Sequence, residues 1–421
     1  MDADKPRNLR TLLSEAKDTS ELMVDLAYAA LYFGDPGMAD EVQGLEQRLG
    51  ELSHVLRSTA VIAARAPRDA EAMASVLSVI SAIEKVGDAA VDIGHIVTRR
   101  LGIPRALVAD LSAAEEVSHR VRVRETSHMA HRPLCDLELP TVTGMRVVAI
   151  RRVRDWITNI DGNIVLLPED VLFMQGASAG IPRLRAMAGA PSYEPPLVAA
   201  EEVPSDLDRA IDVLVEMKNL SEVAVGLAYS ALVLRDRGLA AEVEHLESRL
   251  DDMKERLELW VLRSADGQID PSPLRGLLHL AQASEEITDA AQSMVKLVTD
   301  GEALHPILAV AFGDADEVVV RVPVAGGSPA EGKNLGVLRL ETETGFYLLA
   351  IRRGGRYIYR PRKEVILQEG DELIATGPDE GHTILAHLCG YRLIEDDETG
   401  ADDLVPLSGS FSRTPSRQWL V

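Results

Sequence analysis

Cysteine is scarce in this chain of 421 residues: Cys135 and Cys389 stand far apart, and neither belongs to a Cys-x-x-Cys pair. That spacing excludes a disulfide framework and a zinc-finger site, and it fits a reducing compartment. Basic charge is in deficit too, with 44 Lys and Arg against 67 Asp and Glu and a formal charge of −23. No long Lys/Arg block offsets this, so a phosphate backbone would be repelled over most of the surface and no nucleic-acid partner is expected. Long apolar runs are missing as well. Charges break every apolar stretch well before about 18 residues, and Met1-Asp2-Ala3-Asp4-Lys5-Pro6 lacks a basic and then apolar leader, so a cytoplasmic protein without a membrane span is expected. There is no Gly-x-Gly-x-x-Gly turn between strand and helix and no Gly-x-x-x-x-Gly-Lys-Ser/Thr loop, so nucleotide sensing by those routes is not expected. Nor is an enzyme: a Gly-x-Ser-x-Gly elbow, a His-Glu-x-x-His pair and a carboxylate dyad on a cleft are not expected. His128 and His131 near Cys135 are read as plain surface.

What is present is one sequence read twice. Glu15-Ala-Lys-Asp-Thr-Ser-Glu recurs 201 residues later as Glu216-Met-Lys-Asn-Leu-Ser-Glu, and the offset then holds without a gap. It carries Leu26-Ala27-Tyr28 onto Leu227-Ala228-Tyr229, Asp88-Ala89-Ala90 onto Asp289-Ala290-Ala291, and Ala149-Ile150-Arg151-Arg152 onto Ala350-Ile351-Arg352-Arg353. Register kept over that length means a tandem duplication. The join, Gly189 to Pro196, is rich in proline and small residues and reads as an extended linker.

Within each half the hydrophobic period changes from helical to strand-like. Leu12, Leu22, Leu26, Ala30 and Phe33 recur at helical spacing until Asp35-Pro36-Gly37 breaks them. Val42, Leu45, Leu49, Leu52 and Leu56 start a second run, and a third follows from about Asp69 to Arg100. Three helices with short connections predict an antiparallel three-helix bundle. Val318 to Val322, Gly345 to Ile351 and Leu373 to Ala375 read as strands, with Gly354-Gly355 turning into Arg356-Tyr357-Ile358-Tyr359 and a short helix over Asp379 to Cys389. The expected architecture is α+β and multidomain. Helical bundles cover 1–105 and 206–306, small α/β domains cover 106–188 and 307–394, a linker covers 189–205, and a disordered acidic tail covers 395–421, ending near the apolar Trp419-Leu420.

Two residue sets could carry chemistry. Glu84 and Asp88 sit four apart on one helix, as do Glu285 and Asp289, so each pair projects two carboxylates to one side, where a divalent cation could be bridged with Glu46 or Glu247 from the preceding helix. The plain alternative is a solvated acidic face. Arg151-Arg152 and Arg352-Arg353 end an apolar strand, where a guanidinium meets phosphate or carboxylate in bidentate geometry. Adjacent strand residues point to opposite faces, so one arginine of each pair would face a ligand and the other would be a solvated edge charge.

The run Ala-Ile-Arg-Arg, Gly-Gly, Tyr-Ile-Tyr-Arg-Pro, Val-Ile-Leu-Gln-Glu-Gly-Asp-Glu-Leu-Ile-Ala-Thr-Gly in the second half resembles the TrkA-C domain of regulator-of-potassium-conductance (RCK) proteins. The first half keeps Ala149-Ile150-Arg151-Arg152, Asp170 and Gly176, but Val153-Arg154 replaces the glycine pair and Pro168-Glu169 replaces Glu369-Gly370, so its hairpin and turn are expected to change shape. The helical parts resemble the PhoU domain, whose third helix carries Glu-x-x-x-Asp, met here by Glu84 to Asp88 and Glu285 to Asp289. The resemblance implies a regulator of cation transport, potassium above all. TrkA-C domains pair, and in some relatives the groove between them binds cyclic di-AMP, so Arg151, Arg152, Arg352 and Arg353 would be effector contacts within a pseudo-dimer of the tandem copies or a homodimer. The partner would be a membrane cation channel or transporter, holding the protein at the inner face of the membrane. A PhoU-type metal-binding regulator of phosphate uptake and a pure assembly adaptor are the alternatives.

Overall fold

The computed structural model describes residues 8–407 except 65–66, 105–106, 108–110, 112–115, 194–204, 266–270, 302, 314, 316, 360 and 396–401. Most of the expected linker and the Trp419-Leu420 end lie outside the described residues. The first bundle is built by its caps. The Asn8 side chain accepts the Thr11 amide to open α1 (Leu9–Phe33), and Gly34, at φ 59, closes it in the left-handed region. Asp35 then accepts the Gly37 amide at 3.0 Å, with Pro36 in the first turn, and starts α2 (Pro36–Ala63). α3 (Pro67–Thr98) completes the bundle, burying Leu26, Val42, Leu49, Ile80 and Ile83 between the three helices.

The strand-rich part follows as β1 (Glu116–Arg122), α4 (Leu139–Thr143), β2 (Met145–Arg152), β3 (Asp155–Ile157), β4 (Val171–Ala177) and α5 (Ile181–Met187). Its sheet has the order β1-β4-β2-β3, so the first and last strands pair antiparallel, with Arg120 opposite Phe173 and Arg122 opposite Val171. The expected change of shape does not occur. The β2–β3 hairpin closes with Val153 at φ 60, and Glu169 takes φ 71 where Gly370 in the other copy takes φ 80. Side chains occupy backbone conformations that glycine fills without strain in the second half.

The second half repeats the plan. A capping box between Ser205 and Asp208 opens α6 (Asp206–Leu234), Asp236 caps α7 (Arg237–Ser264), and α8 (Ser272–Thr299) follows. A further helix that periodicity did not reveal, α9 (Ile307–Phe312), packs on α1 and α6 and sets Phe312 edge-on to Tyr229 at 5.0 Å between ring centres. The second sheet comprises β5 (Glu317–Pro323), α10 (Leu335–Leu338), α11 (Leu340–Thr344), β6 (Tyr347–Arg353), β7 (Arg356–Tyr359), β8 (Glu372–Pro378) and α12 (His382–Leu388), with strand order β5-β8-β6-β7. The tail expected to be disordered contains a strand. β9 (Tyr391–Glu395) pairs antiparallel with β10 (Asp402–Pro406), Leu393 opposite Leu404, because Leu404 buries its side chain partly against the core of the second sheet.

The described chain forms two compact units. One holds the described residues of Met1–Leu137 and Arg146–Ala315, the other those of Glu138–Met145 and Asp316–Val421. In the first unit the two bundles share a core: α3 packs on α8, Lys17 lies over the Tyr229 ring at 5.2 Å, and Lys218 lies over the Tyr28 ring at 5.1 Å. These contacts exchange under the 201-residue offset, so duplicated sequence makes a reciprocal pair. Each buried ammonium also reaches a carboxylate one turn on, Lys17 to Glu21 at 2.6 Å and Lys218 to Glu222 at 2.7 Å. In the second unit, α4 packs on its repeat counterpart α11. A Cβ on Gly144, itself at φ 69, would come within 2.8 Å of the Glu341 carbonyl oxygen, so the glycine permits this close approach. Among the described residues no helix is long and apolar enough to cross a membrane.

Candidate functional site

The two arginines of each pair have different fates, because consecutive residues of β2 and β6 face opposite ways. Arg353 turns onto Asp371: its Nε donates to Oδ1 at 2.7 Å, and its Nη2 donates to Oδ2 at 2.6 Å and to the Ile366 carbonyl at 2.8 Å. Asp371 is 1% exposed and also accepts the Gln368 amide at 2.8 Å. Arg152 repeats this, with Nε to Asp170 Oδ1 at 2.9 Å, Nη2 to Oδ2 at 2.8 Å, and Nη2 to the Val165 carbonyl at 2.8 Å. Arg152 and Arg353, expected as effector contacts or solvated edge charges, are thus each engaged on one side by a carboxylate, with about a third of each side chain in solvent. A buried carboxylate holds each of them, and the pair ties the loop before β4 or β8 to the hairpin.

Arg352 faces the other way, opposite Tyr357 on β7, and its Nη2 donates to Glu372 at 2.7 Å. The Tyr357 and Tyr359 rings stack beside it, 5.5 Å apart between centres. Arg352 keeps about a third of its side chain in solvent, and its partner Glu372 is itself partly exposed, unlike the buried Asp371 that holds Arg353. In the first copy Arg151 donates to Asp35 at 3.2 Å and lies over the Trp156 and Phe173 rings, each 5.7 Å from the guanidinium carbon.

The carboxylate helices are neutralised by neighbours that spacing did not reveal. Arg57 on α2 pairs with Glu84, donating through Nη1 at 2.8 Å, and Lys254 on α7 meets Glu285 at 3.3 Å. Among the described residues, no three His, Cys, Asp or Glu side chains converge well enough to hold a metal ion. Partial burial, with Glu46 and Glu84 close by, raises the pKa of Asp88. Partial burial, with Asp251, raises those of Asp289 and Glu247, and burial raises Glu285 against the pull of Lys254. A carboxyl whose folded pKa exceeds its unfolded value binds its proton more tightly in the folded state, so stability is gained as the pH falls through that range. The double variant Asp88→Asn/Asp289→Asn should therefore melt higher than the parent at pH 7, and the gain should fade toward pH 4. Equal melting temperatures at pH 7 would show that solvent screens these charges.

One motif runs against the sequence expectation. Gly176-Ala177-Ser178-Ala179-Gly180 has the Gly-x-Ser-x-Gly spacing and lies between β4 and α5. The same turn in the second copy reads Gly377-Pro378-Asp379-Glu380-Gly381, without the serine, and a Cβ on Gly381 would fall 1.9 Å from the Thr344 carbonyl oxygen. The glycines serve the strand-to-helix turn. The structure shows no histidine or carboxylate hydrogen-bonded to Ser178 among the described residues.

Family models match the chain in four places: the PhoU domain at residues 13–97 and 214–298, and the TrkA-C domain at residues 119–189 and 319–386. No curated protein matches the chain. Among solved structures, PhoU from Pseudomonas aeruginosa is similar at 13% identity and a TM-score of 0.38, over 70% of this chain and 96% of that one. The GsuK RCK domain is similar at 15% identity and a TM-score of 0.18, over 66% of this chain and 64% of that one. The GsuK channel bound to NAD gives 15% and 0.17, over 65% and 53%, so this chain spans less than two thirds of either GsuK chain. The four matches alternate along the sequence, the two PhoU matches in the 201-residue register, and the chain belongs to the PhoU and TrkA-C families, carrying the two domains in tandem and the tandem twice.

Proposed function

We propose that this protein regulates cation transport, potassium foremost, by sensing a small anionic effector such as cyclic di-AMP through paired TrkA-C domains. PhoU and TrkA-C are regulatory domain families, and their joint presence supports a regulatory role in ion transport. The observation that carries the finer reading is Arg352, a guanidinium about a third exposed beside the stacked Tyr357 and Tyr359 and paired with the partly exposed Glu372, while Arg353 one residue on is held by the buried Asp371. Guanidinium plus aromatic planes suits a ligand that combines phosphate with bases. The packing of α4 on its counterpart α11 supports pairing of the copies within one chain. The partner is a membrane cation channel or transporter, engaged at its cytoplasmic side by a protein that is itself not an enzyme. Regulation requires that the effector bind one arrangement of the copies more tightly than another, since equal affinity shifts nothing. The phosphate-uptake alternative relied on metal at the carboxylate helices, where Arg57 and Lys254 already supply the positive charge.

Calorimetric titration of the full chain with cyclic di-AMP, with AMP and ATP as controls, tests this reading. Saturable binding to the parent, lost in Arg352→Ala, is the expected result. Silence from the parent removes cyclic di-AMP as the effector. Potassium dependence of growth unaltered by deleting the gene would remove potassium transport.

A further inference from the structure

The first copy differs from the second at one face of its sheet. In the second copy Glu372 stands on β8 between β5 and β6, opposite Pro323 on one side and Arg352 on the other. Its carboxylate meets Arg352 at 2.7 Å and Arg321 at 3.9 Å. Under the 201-residue offset Arg321 and Arg352 correspond to Arg120 and Arg151, so the two guanidiniums are retained. Glu372, however, becomes Val171, and Pro323 becomes Arg122. The anion is removed and a third cation is added at the same face.

The result is a pocket of about 240 Å³ lined by Arg120, Arg122, Arg151 and Val171. Its arginines are held from outside. The Arg120 guanidinium lies over the Phe33 ring at 5.3 Å, Arg151 over Trp156 and Phe173, and Phe33 and Phe173 meet edge-on at 5.6 Å. Aromatic backing fixes the guanidinium planes while leaving their N–H edges for a ligand. Asp35 takes one edge of Arg151 at 3.2 Å, and Glu169 meets Arg122 at 2.9 Å in an exposed pair, leaving the cluster with a net positive charge. Such a spot on a chain of formal charge −23 concentrates the oxyanions that the rest of the surface repels.

We propose that this face of the first TrkA-C copy binds a phosphate group, free or carried by a small phosphorylated molecule, in the place that Glu372 fills with a carboxylate in the second copy. The site goes beyond the function proposed above, because it lies on a single copy and needs no pairing. The test is titration of the full chain at low ionic strength with inorganic phosphate, pyrophosphate and AMP, on the parent and on Arg120→Gln, Val171→Glu and Arg352→Ala. Val171→Glu builds into the first copy the arrangement the second already has, and Arg120→Gln changes an exposed residue, so one variant serves if the other fails to fold. Saturable binding weakened about tenfold or more by either variant, as loss of a charge-assisted hydrogen bond requires, and unaltered in Arg352→Ala, is expected. Free phosphate as tight as AMP would mean the anion alone is read, and tighter AMP would mean a phosphorylated small molecule. No saturable binding of any of the three, or binding unmoved by both Arg120→Gln and Val171→Glu, overturns the proposal.

Discussion

Arg353→Ala should loosen the second TrkA-C domain by about 3–5 kcal/mol, the cost of leaving a buried charge without its partner. Asp371 is 1% exposed and receives two hydrogen bonds from Arg353, with the Gln368 amide as its remaining donor. Truncating the arginine removes two hydrogen bonds from a carboxylate that is 1% exposed in the parent and frees the Ile366 carbonyl it also holds. Arg353→Lys should lose less, since an ammonium restores the charge but not the two parallel bonds. Because the chain has more than one unit, a global unfolding energy would not isolate the effect. Hydrogen exchange of the β6 and β8 amides does so, and those amides should lose protection in Arg353→Ala while helices α1 to α3 keep theirs. Unchanged exchange at β8 would mean that the pair contributes little. Arg152→Ala should act likewise on β2 and β4 through Asp170.

Tyr229→Ala should be about as costly, about 3–5 kcal/mol, as expected for emptying an aromatic site in a packed core. Tyr229 is 1% exposed, touches Phe312 on α9 and lies under the Lys17 ammonium of the other bundle. The truncation opens a cavity and removes the ring that faces a lysine only 2% exposed. Tyr28→Ala should behave similarly, because Lys218 covers that ring and the Tyr28 hydroxyl lies 3.3 Å from the Ser284 hydroxyl on α8. Hydrogen exchange of the α1 and α6 amides, which reads opening within the first unit, checks both. A loss below about 1 kcal/mol for Tyr229→Ala would show that the bundles close the gap by relaxing. In a double-mutant cycle, Lys17→Met with Tyr229→Phe should leave a smaller coupling than Lys17→Met with Tyr229→Ala, since phenylalanine keeps the ring face.

Much of the fold could be read along the chain. Asp35 caps its helix at the Asp35-Pro36-Gly37 break, and the Gly354-Gly355 turn lies where the strands of the second hairpin meet. Caps, turns and hydrophobic period act over a few residues, so neighbours in sequence are enough to specify them. The first hairpin shows where such reading stops. Val153 and Glu169 argued against the turns they make, and the surrounding sheet, which buries Val148, Ile150 and Leu172, imposes the backbone all the same. Short α9 and the late strand β10 were missed for a similar reason, since each is short and gains its stability from packing on residues far away in sequence.

The duplication, the change from helical to strand-like period within each half, and the positions of the Glu-x-x-x-Asp and Arg-Arg elements were determined by sequence alone. Which arginine of each pair is spent was decided by tertiary structure, because Asp371 lies 18 residues from Arg353 and reaches it only when β8 pairs with β6. The same holds for Arg57 against Glu84, for the exchange of lysines and tyrosines between bundles, and for the three arginines that converge where Val171 replaces a glutamate. A charge is written in the chain, but its partner depends on the path the backbone takes. Burial along that path then decides whether the charge is consumed within the fold or left for a ligand.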